Sequence, residues 1–411
     1  MSKVIIIGGG FAGLNCAKHL ANSDHDILLI DKTNHHLFQP LLYQVATAML
    51  SPADIAVPIR DIFRNHENVK VIMGDVLTVN KQEQYVELKS KKRFVFDYLI
   101  IATGAKHSYF GKNDWEPHTS GLKTIGDALS IREKILIAFE KAERETDPEK
   151  RQKHLNFVVV GGGPTGVEMA GSIADIAYKN LIKDFRNFSS KESKIYLLEA
   201  SDRILPMFDD ELSAKARHYL AQFGVIVRTN ERVTNITNGC VSTENDTINT
   251  DTIIWAAGNE ASPLLKALDT DCDRQGRVIV RNDCSIPDNS NIFVIGDAAH
   301  FKQNEITLPG IAPVAIQQGK YVAKTIKKAA EKRAPFVYFD KGMMATIGKS
   351  KAIAQTGPFK LTGLMAWLAW SLVHLLYLIG YRTKVLVLIE WFVSYIFNKN
   401  GPRLIYKFTN E

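Results

Sequence analysis

Apolar positions divide the chain into regimes with different periods. Two β-branched runs, VIII at 4–7 and FVVV at 157–160, each lead straight into glycines and then into an apolar pattern of helical period, GLNCAKHL at 13–20 and GVEMAGSIA at 166–174. Each predicts a strand, a tight turn and a helix. Further short apolar runs, DILLID at 26–31, YLIIATG at 98–104, KIYLLE at 194–199, TIIWAAG at 252–258 and IFVIGD at 292–297, read as strands. A helix is expected to open at Asp127 as its N-cap and to run into a charged connector, DPEKRQKH, at 147–154; another is expected around 312–333. The last regime is different. Residues 361–381 contain no charged side chain, and 385–397 form a second apolar run interrupted by Glu390.

The two glycine stretches, GGGFAG and GGGPTG, share the G-x-G-x-x-G spacing in strand–turn–helix context. Gly8 and Gly161 suit the tight turn, Gly10 and Gly163 let a pyrophosphate approach the backbone, and Gly13 and Gly166 let helix pack on strand. The helix N-termini then face the phosphates. An acidic residue closes the next strand each time, Asp31 and Glu199, placed to accept from ribose hydroxyls. The chain therefore reads as an α/β protein with two Rossmann-like dinucleotide-binding domains. The first is discontinuous (1–112 and 262–335) and encloses the second (113–261); residues 336–411 form a C-terminal amphipathic helical membrane-anchoring segment.

Charge sharpens the reading of that segment. The net charge of +7 lies entirely in 341–411, since residues 1–340 balance 42 basic against 42 acidic side chains. Lys349, Lys351 and Lys360 precede the uncharged run and Arg382 and Lys384 follow it, without the asymmetry expected of a single crossing. Trp367, Trp370, Tyr377, Trp391 and Tyr395 supply interfacial aromatics. The expectation is a helical hairpin lying in one leaflet of an anionic membrane. Basic residues flank apolar runs here instead of lining a polar groove, so nucleic acid is not expected as a partner. The four cysteines form no C-x-x-C pair, which argues against a disulfide framework. His35 and His36 read as loop residues, with no accompanying cluster to bind a metal.

Over nearly its whole length the chain resembles the type II, non-proton-pumping NADH dehydrogenases (NADH:quinone oxidoreductases) of the two-dinucleotide-binding flavoproteins. HHLFQPLLYQVATAMLSPADIAVPIR at 35–60 and LPGIAPVAIQQGKYVAK at 308–324 carry the likeness more specifically than the glycines do. The resemblance implies bound FAD in the first domain and NADH as substrate in the second, with a membrane quinone as acceptor. It implies FAD contacts from Gly8, Gly10, Gly13, Asp31, Thr103 and Gly104 of ATG, and Gly296 and Asp297 of IGD. NADH contacts are implied for Gly161, Gly163, Gly166 and Glu199, and Gly258 is a further expected cofactor contact. Glu199 is expected to repel a 2′-phosphate and so favour NADH. Glu168 has two compatible readings, a partner of the helix dipole and, by resemblance, a carboxylate assisting proton delivery to quinone. Gln317 is expected beside the isoalloxazine ring and the quinone tunnel, although Pro313 departs from the glutamine that some members carry. A homodimer on the cytoplasmic face of the cell membrane, or the equivalent face of an organelle inner membrane, completes the expectation. The rival readings are a soluble reductase of a ferredoxin- or rubredoxin-type acceptor, which has no reason to keep the apolar run at 361–397, and a flavin-containing redox sensor, which should stall in the reduced state when NADH and then quinone are added.

Overall fold

The run Lys3–Ile7 has parallel partners on both edges, Asp26–Asp31 and Tyr98–Ile101, in a register that sets Ile6 opposite Leu29 and Ile100. Val4–Ile7 are all buried, which is why this strand does not alternate. Val69–Met73 extends the sheet on one side, and Asn289–Val294 with its antiparallel hairpin partner Ser285–Ile286 completes the other. The computed structural model describes residues 1–326, 328–397 and 403–405. Contacts separate the chain into two compact units: Met1–Leu37, Ala56–Lys106 and Asn259–Lys341 form the first, and Phe38–Ile55, His107–Gly258 and Gly342–Glu411 the second.

In the first unit the helix Phe11–Leu20 lies against the helix Ala312–Thr325. Gly319 makes this approach possible, because a Cβ there would stand 2.3 Å from the carbonyl oxygen of Ala12. His35–Leu37 is a short strand paired antiparallel with Ala56–Pro58, where a loop was expected.

The second unit repeats the plan with a wholly parallel five-stranded sheet, ordered Ser120–Gly121, Thr252–Trp255, Asn156–Val160, Lys194–Leu198 and Val225–Arg228. The helix Ile125–Arg144 begins three residues earlier than expected: Thr124 is its N-cap, and Asp127 is the reciprocal member of a capping box. The connector at 147–154 is itself helical, over Pro148–Leu155, because Asp147 caps its first turn. Residues 38–55 join this unit and not the first. Arg132 explains the attachment. Its buried guanidinium donates to the carbonyls of Val45 (2.6 and 2.8 Å) and Leu50 (2.8 Å), pinning the end of the short helix Leu42–Ala46.

The C-terminal segment also belongs to this unit and begins as a sheet, a feature the sequence reading missed. Met343–Gly348, Lys351–Thr356 and Phe359–Thr362 pair antiparallel. Two helices follow, Gly363–Tyr377 and Tyr381–Phe397, of 15 and 17 residues. At 1.5 Å per residue each spans about 22–26 Å, less than the roughly 30 Å apolar thickness of a bilayer. Among the described residues no helix is long and apolar enough to cross a membrane. Leu364, Met365, Leu368, Leu372 and Leu376 of the first helix, and Leu388, Ile389 and Phe392 of the second, are exposed. Trp370 and Trp391 are not. Both are buried, with ring centroids 5.4 Å apart, so these two aromatics weld the helices to the unit and do not face outward. The side chain of Tyr395 lies outside the described residues.

Replacing Arg132 by Met strands the carbonyls it serves. A loss of about 2–4 kcal/mol is expected, seen as a lower urea midpoint with little change in slope.

Candidate active site

The two glycine turns have the same geometry. Gly8 and Gly161 sit at φ +103° and +109°, in backbone space that side chains rarely enter. A Cβ on Gly13 would stand 1.9 Å from the Gly8 carbonyl oxygen, and one on Gly166 would stand 1.8 Å from that of Gly161. Strand end and helix start therefore touch through backbone alone. Around the middle glycines, Gly10 and Gly163, the space where a Cβ would point is open. These two residues are the N-caps of the helices Phe11–Leu20 and Pro164–Asp175, and neither makes a side-chain cap, so the first-turn N–H groups face the opening.

The acidic strand ends are twins as well. Asp31 accepts from the backbone N–H of Gly9 at 2.6 Å and from Thr33, while Glu199 accepts from Gly162 N–H at 2.6 Å and Ser201 N–H at 2.8 Å. Each carboxylate thus braces its glycine loop.

Four more expected residues gather in the first unit. Gly104 turns at φ +65°, and the neighbouring Thr103 has its Oγ1 buried with no hydrogen-bond partner among the described residues. A buried hydroxyl without a partner beside an open glycine cradle fits a site shaped for a polar group of a bound cofactor. Gly296 turns at φ +69°, and Asp297 packs against Gly310, whose added Cβ would come within 3.2 Å of the carboxyl. That turn is held by buried Gln318, which accepts from the Gly296 N–H at 2.7 Å. Gln317 instead forms two bonds with the backbone of Phe339, donating at 2.9 Å and accepting at 3.0 Å. The sequence reading also passed over His36. It is buried, its Nδ1 is 2.9 Å from the Gly9 carbonyl, and burial pushes its pKa down to about 4, so it supports the glycine loop as a neutral ring.

In the second unit Gly258 turns at φ +74° after the strand Thr252–Trp255. Glu168 lies one turn into the helix Pro164–Asp175, three residues before Gly171 on the same face. Gly171 lets a strand lie directly on that face: a Cβ would stand 1.8 Å from the Ile347 carbonyl oxygen. The strand Met343–Gly348 thereby offers the Thr346 N–H to the Glu168 carboxyl. Burial outweighs that bond and raises the Glu168 pKa to about 8. Thr346 also lines a small cleft of about 60 Å³, together with Tyr43, Gln44, Ser172, Trp367 and Trp370, among others. Glu168 and Gln317 fall in different units.

Two Rossmann-like sheets in one chain, one wholly and one largely parallel and each with its own glycine cradle, define the class as a two-dinucleotide-binding α/β protein. The profile of the pyridine nucleotide-disulphide oxidoreductase family matches residues 2–319, and that of the NDH2 C-terminal domain matches 341–400. The chain is 43% identical to the type II NADH:quinone oxidoreductase Ndh of Mycobacterium tuberculosis, over 98% of this chain and 90% of that protein. It is 42% identical to NdhA of the same organism, over 98% and 89%. The fold matches the structure of NDH2 from Plasmodium falciparum in complex with NADH at a TM-score of 0.88 and 21% identity, covering 98% of this chain and 99% of that one. The chain belongs to the type II NADH:quinone oxidoreductases (NDH-2) of the pyridine nucleotide-disulphide oxidoreductase family.

The twin turns are separable by mutation. Gly13→Ala should yield protein depleted of flavin after purification. Gly166→Ala should keep its flavin and raise the half-saturating NADH concentration by at least about tenfold, measured by anaerobic titration.

Proposed function

We propose that this NADH:quinone oxidoreductase holds FAD in the Gly8–Gly13 cradle and takes NADH in the Gly161–Gly166 cradle. The duplication of one cradle geometry within a single chain is the observation that carries the reading. In the first cradle Gly8, Gly10 and Gly13 with the helix N-terminus bind the pyrophosphate. Asp31 meets a ribose, and Thr103, Gly104, Gly296 and Asp297 line the rest. In the second, Gly161, Gly163, Gly166 and Gly258 surround the NADH pyrophosphate, and Glu199 accepts from ribose hydroxyls and disfavours a 2′-phosphate. When bound, FAD supplies hydride acceptance from NADH and two-electron donation to a quinone.

The chain's own chemistry is protonic. Reduction of a quinone to a quinol needs two protons. With a pKa near 8, Glu168 is largely protonated at neutral pH and can donate one, and the Thr346 N–H then receives the carboxylate. The sign follows directly: donation is available below about pH 8 and fades as pH rises through that value. Gln317 gives one amide N–H to the Phe339 carbonyl and keeps the second for a quinone carbonyl, so its part belongs to the quinone half-reaction.

The quinone arrives from lipid. The exposed leucines of Gly363–Tyr377, with Leu388, Ile389 and Phe392, form the surface that dips into one leaflet, on the cytoplasmic face of the cell membrane or the equivalent face of an organelle inner membrane. Not every flanking cation is free for lipid. Lys349 donates to the Ser394 carbonyl at 3.2 Å and Lys384 to that of Leu376 at 3.0 Å, whereas Arg382 is exposed.

Anaerobic stopped-flow spectroscopy tests the catalytic reading. Flavin bleaching by NADH should survive Glu168→Gln nearly unchanged. Recolouring by a short-chain quinone should slow by about 100-fold or more and lose its fall above pH 8. Equal losses in both half-reactions would make Glu168 structural. Flotation with vesicles tests the attachment: Leu372→Glu with Leu376→Glu should weaken binding to neutral vesicles by at least about tenfold, because two buried leucines are each worth roughly 1.5–3 kcal/mol. Unchanged flotation would contradict the assignment of this face to lipid.

A further inference from the structure

Tyr43, Gln44, Thr346 and Trp391 are all buried polar side chains, and together they form one continuous hydrogen-bonded line. Trp391 Nε1 donates to Gln44 Oε1 at 2.7 Å, Gln44 Nε2 donates to the Tyr43 hydroxyl at 2.9 Å, and that hydroxyl is 3.1 Å from Thr346 Oγ1. The direction of the line is set at one end. An indole N–H can only donate, so the Gln44 carbonyl must face Trp391 and its amide N–H must face Tyr43. The Tyr43 hydroxyl and Thr346 Oγ1 share the last bond of the line, and either oxygen can be its donor. The two directed donors point from the helix Tyr381–Phe397 toward the Tyr43 hydroxyl, and the line ends at Thr346, the residue whose backbone N–H serves Glu168. Bonds aligned head to tail polarise one another, so the indole and amide donors bring positive potential to the Tyr43 hydroxyl, which is bonded to Thr346.

We propose that Tyr43, Gln44 and Trp391 are positioning residues that orient Thr346 and set the proton affinity of Glu168, tying the catalytic carboxyl to the apolar C-terminal hairpin. The link to turnover rests on Glu168 being the proton donor to quinone; the link to Glu168 itself does not. Neighbouring ionisable groups are few. Besides Tyr43, the same cleft presents Asp175 and Lys179, which pair with each other, and Lys349, whose backbone N–H donates to Asp175 at 3.3 Å. Asp175 and Lys179 offset one another, and Tyr43 stays neutral because burial, then the nearby Glu168, raises its pKa. Beyond burial, the contact that acts on Glu168 is the Thr346 N–H, and the line of Tyr43, Gln44 and Trp391 is what holds the Thr346 side chain.

The test reads Glu168 directly in the flavin-loaded full chain. Infrared difference spectra across a pH titration show the carboxylic C=O band, assigned to Glu168 by its loss in Glu168→Gln. Removing donors that stabilise the carboxylate makes ionisation harder. Tyr43→Phe, Trp391→Phe and Thr346→Val should each move the midpoint upward by roughly half a unit to one unit, and Thr346→Ser, which keeps the hydroxyl, should restore it. The alkaline fall of flavin recolouring by quinone should move upward in step, while bleaching by NADH stays put. A merely structural line would lower stability and all rates without moving the midpoint. Midpoints within about 0.2 unit of the wild type in both Tyr43→Phe and Trp391→Phe, or a downward shift, would overturn the proposal. If the band moves while the rate profile does not, the positioning line stands and the role of Glu168 as donor to quinone fails.

Discussion

Everything in this protein that handles nucleotides depends on one close contact, a carbonyl oxygen of the first loop glycine resting against the Cα of the third. Because Gly13 and Gly166 carry no side chain, the helix can begin directly over the end of its strand. That placement leaves the first-turn N–H groups uncovered and aimed at the opening, the place proposed for a pyrophosphate, where the positive end of the helix dipole also points. Asp31 and Glu199 then brace the loops from the adjacent strands. Since a Cβ at either third glycine would overlap a carbonyl oxygen, the geometry is all or nothing, and it has been built twice.

A third glycine contact of the same kind makes the second unit more than a nucleotide fold. Gly171 brings the strand Met343–Gly348 onto the nucleotide-binding helix, so that the C-terminal segment reaches Glu168 through Thr346. The same segment continues into two helices whose buried tryptophans hold them to the unit while their leucines stay exposed. One piece of chain therefore supplies both the apolar surface and the environment that keeps a carboxyl protonated near neutrality.

Much of this was legible because it is local. Glycine spacing, β-branched runs and acidic strand ends are written within thirty or so residues of each other, so both cradles and the two nucleotide sheets could be read directly. Features made by distant segments were not. The strands at 343–362 carry short mixed runs such as MMATIG and KAIAQT, joined by a turn with Ser350 at φ +63° in place of a glycine or asparagine signal. Gln317 and Gln318 are adjacent in sequence and differ only in which face of their helix meets the Gly296 turn, which a one-residue ambiguity in helical phase conceals. His36 looked like a loop residue because its burial comes from the glycine loop, 27 positions away in the chain. Trp370 looked interfacial, as tryptophans beside an apolar run do, whereas its packing on Trp391 assigns it to the interior.

The division of labour between the two cradles can be read most directly by amide hydrogen exchange on the flavin-loaded chain, with and without NAD⁺ as a non-reducing stand-in for NADH. Amides at 9–14 should already be slow to exchange before the nucleotide is added and should change little afterwards, while those at 162–168 should exchange quickly at first and become protected on addition. Protection appearing at 9–14 instead, or at neither loop, would contradict the assignment of a resident flavin to the first cradle and of the exchanging nucleotide to the second.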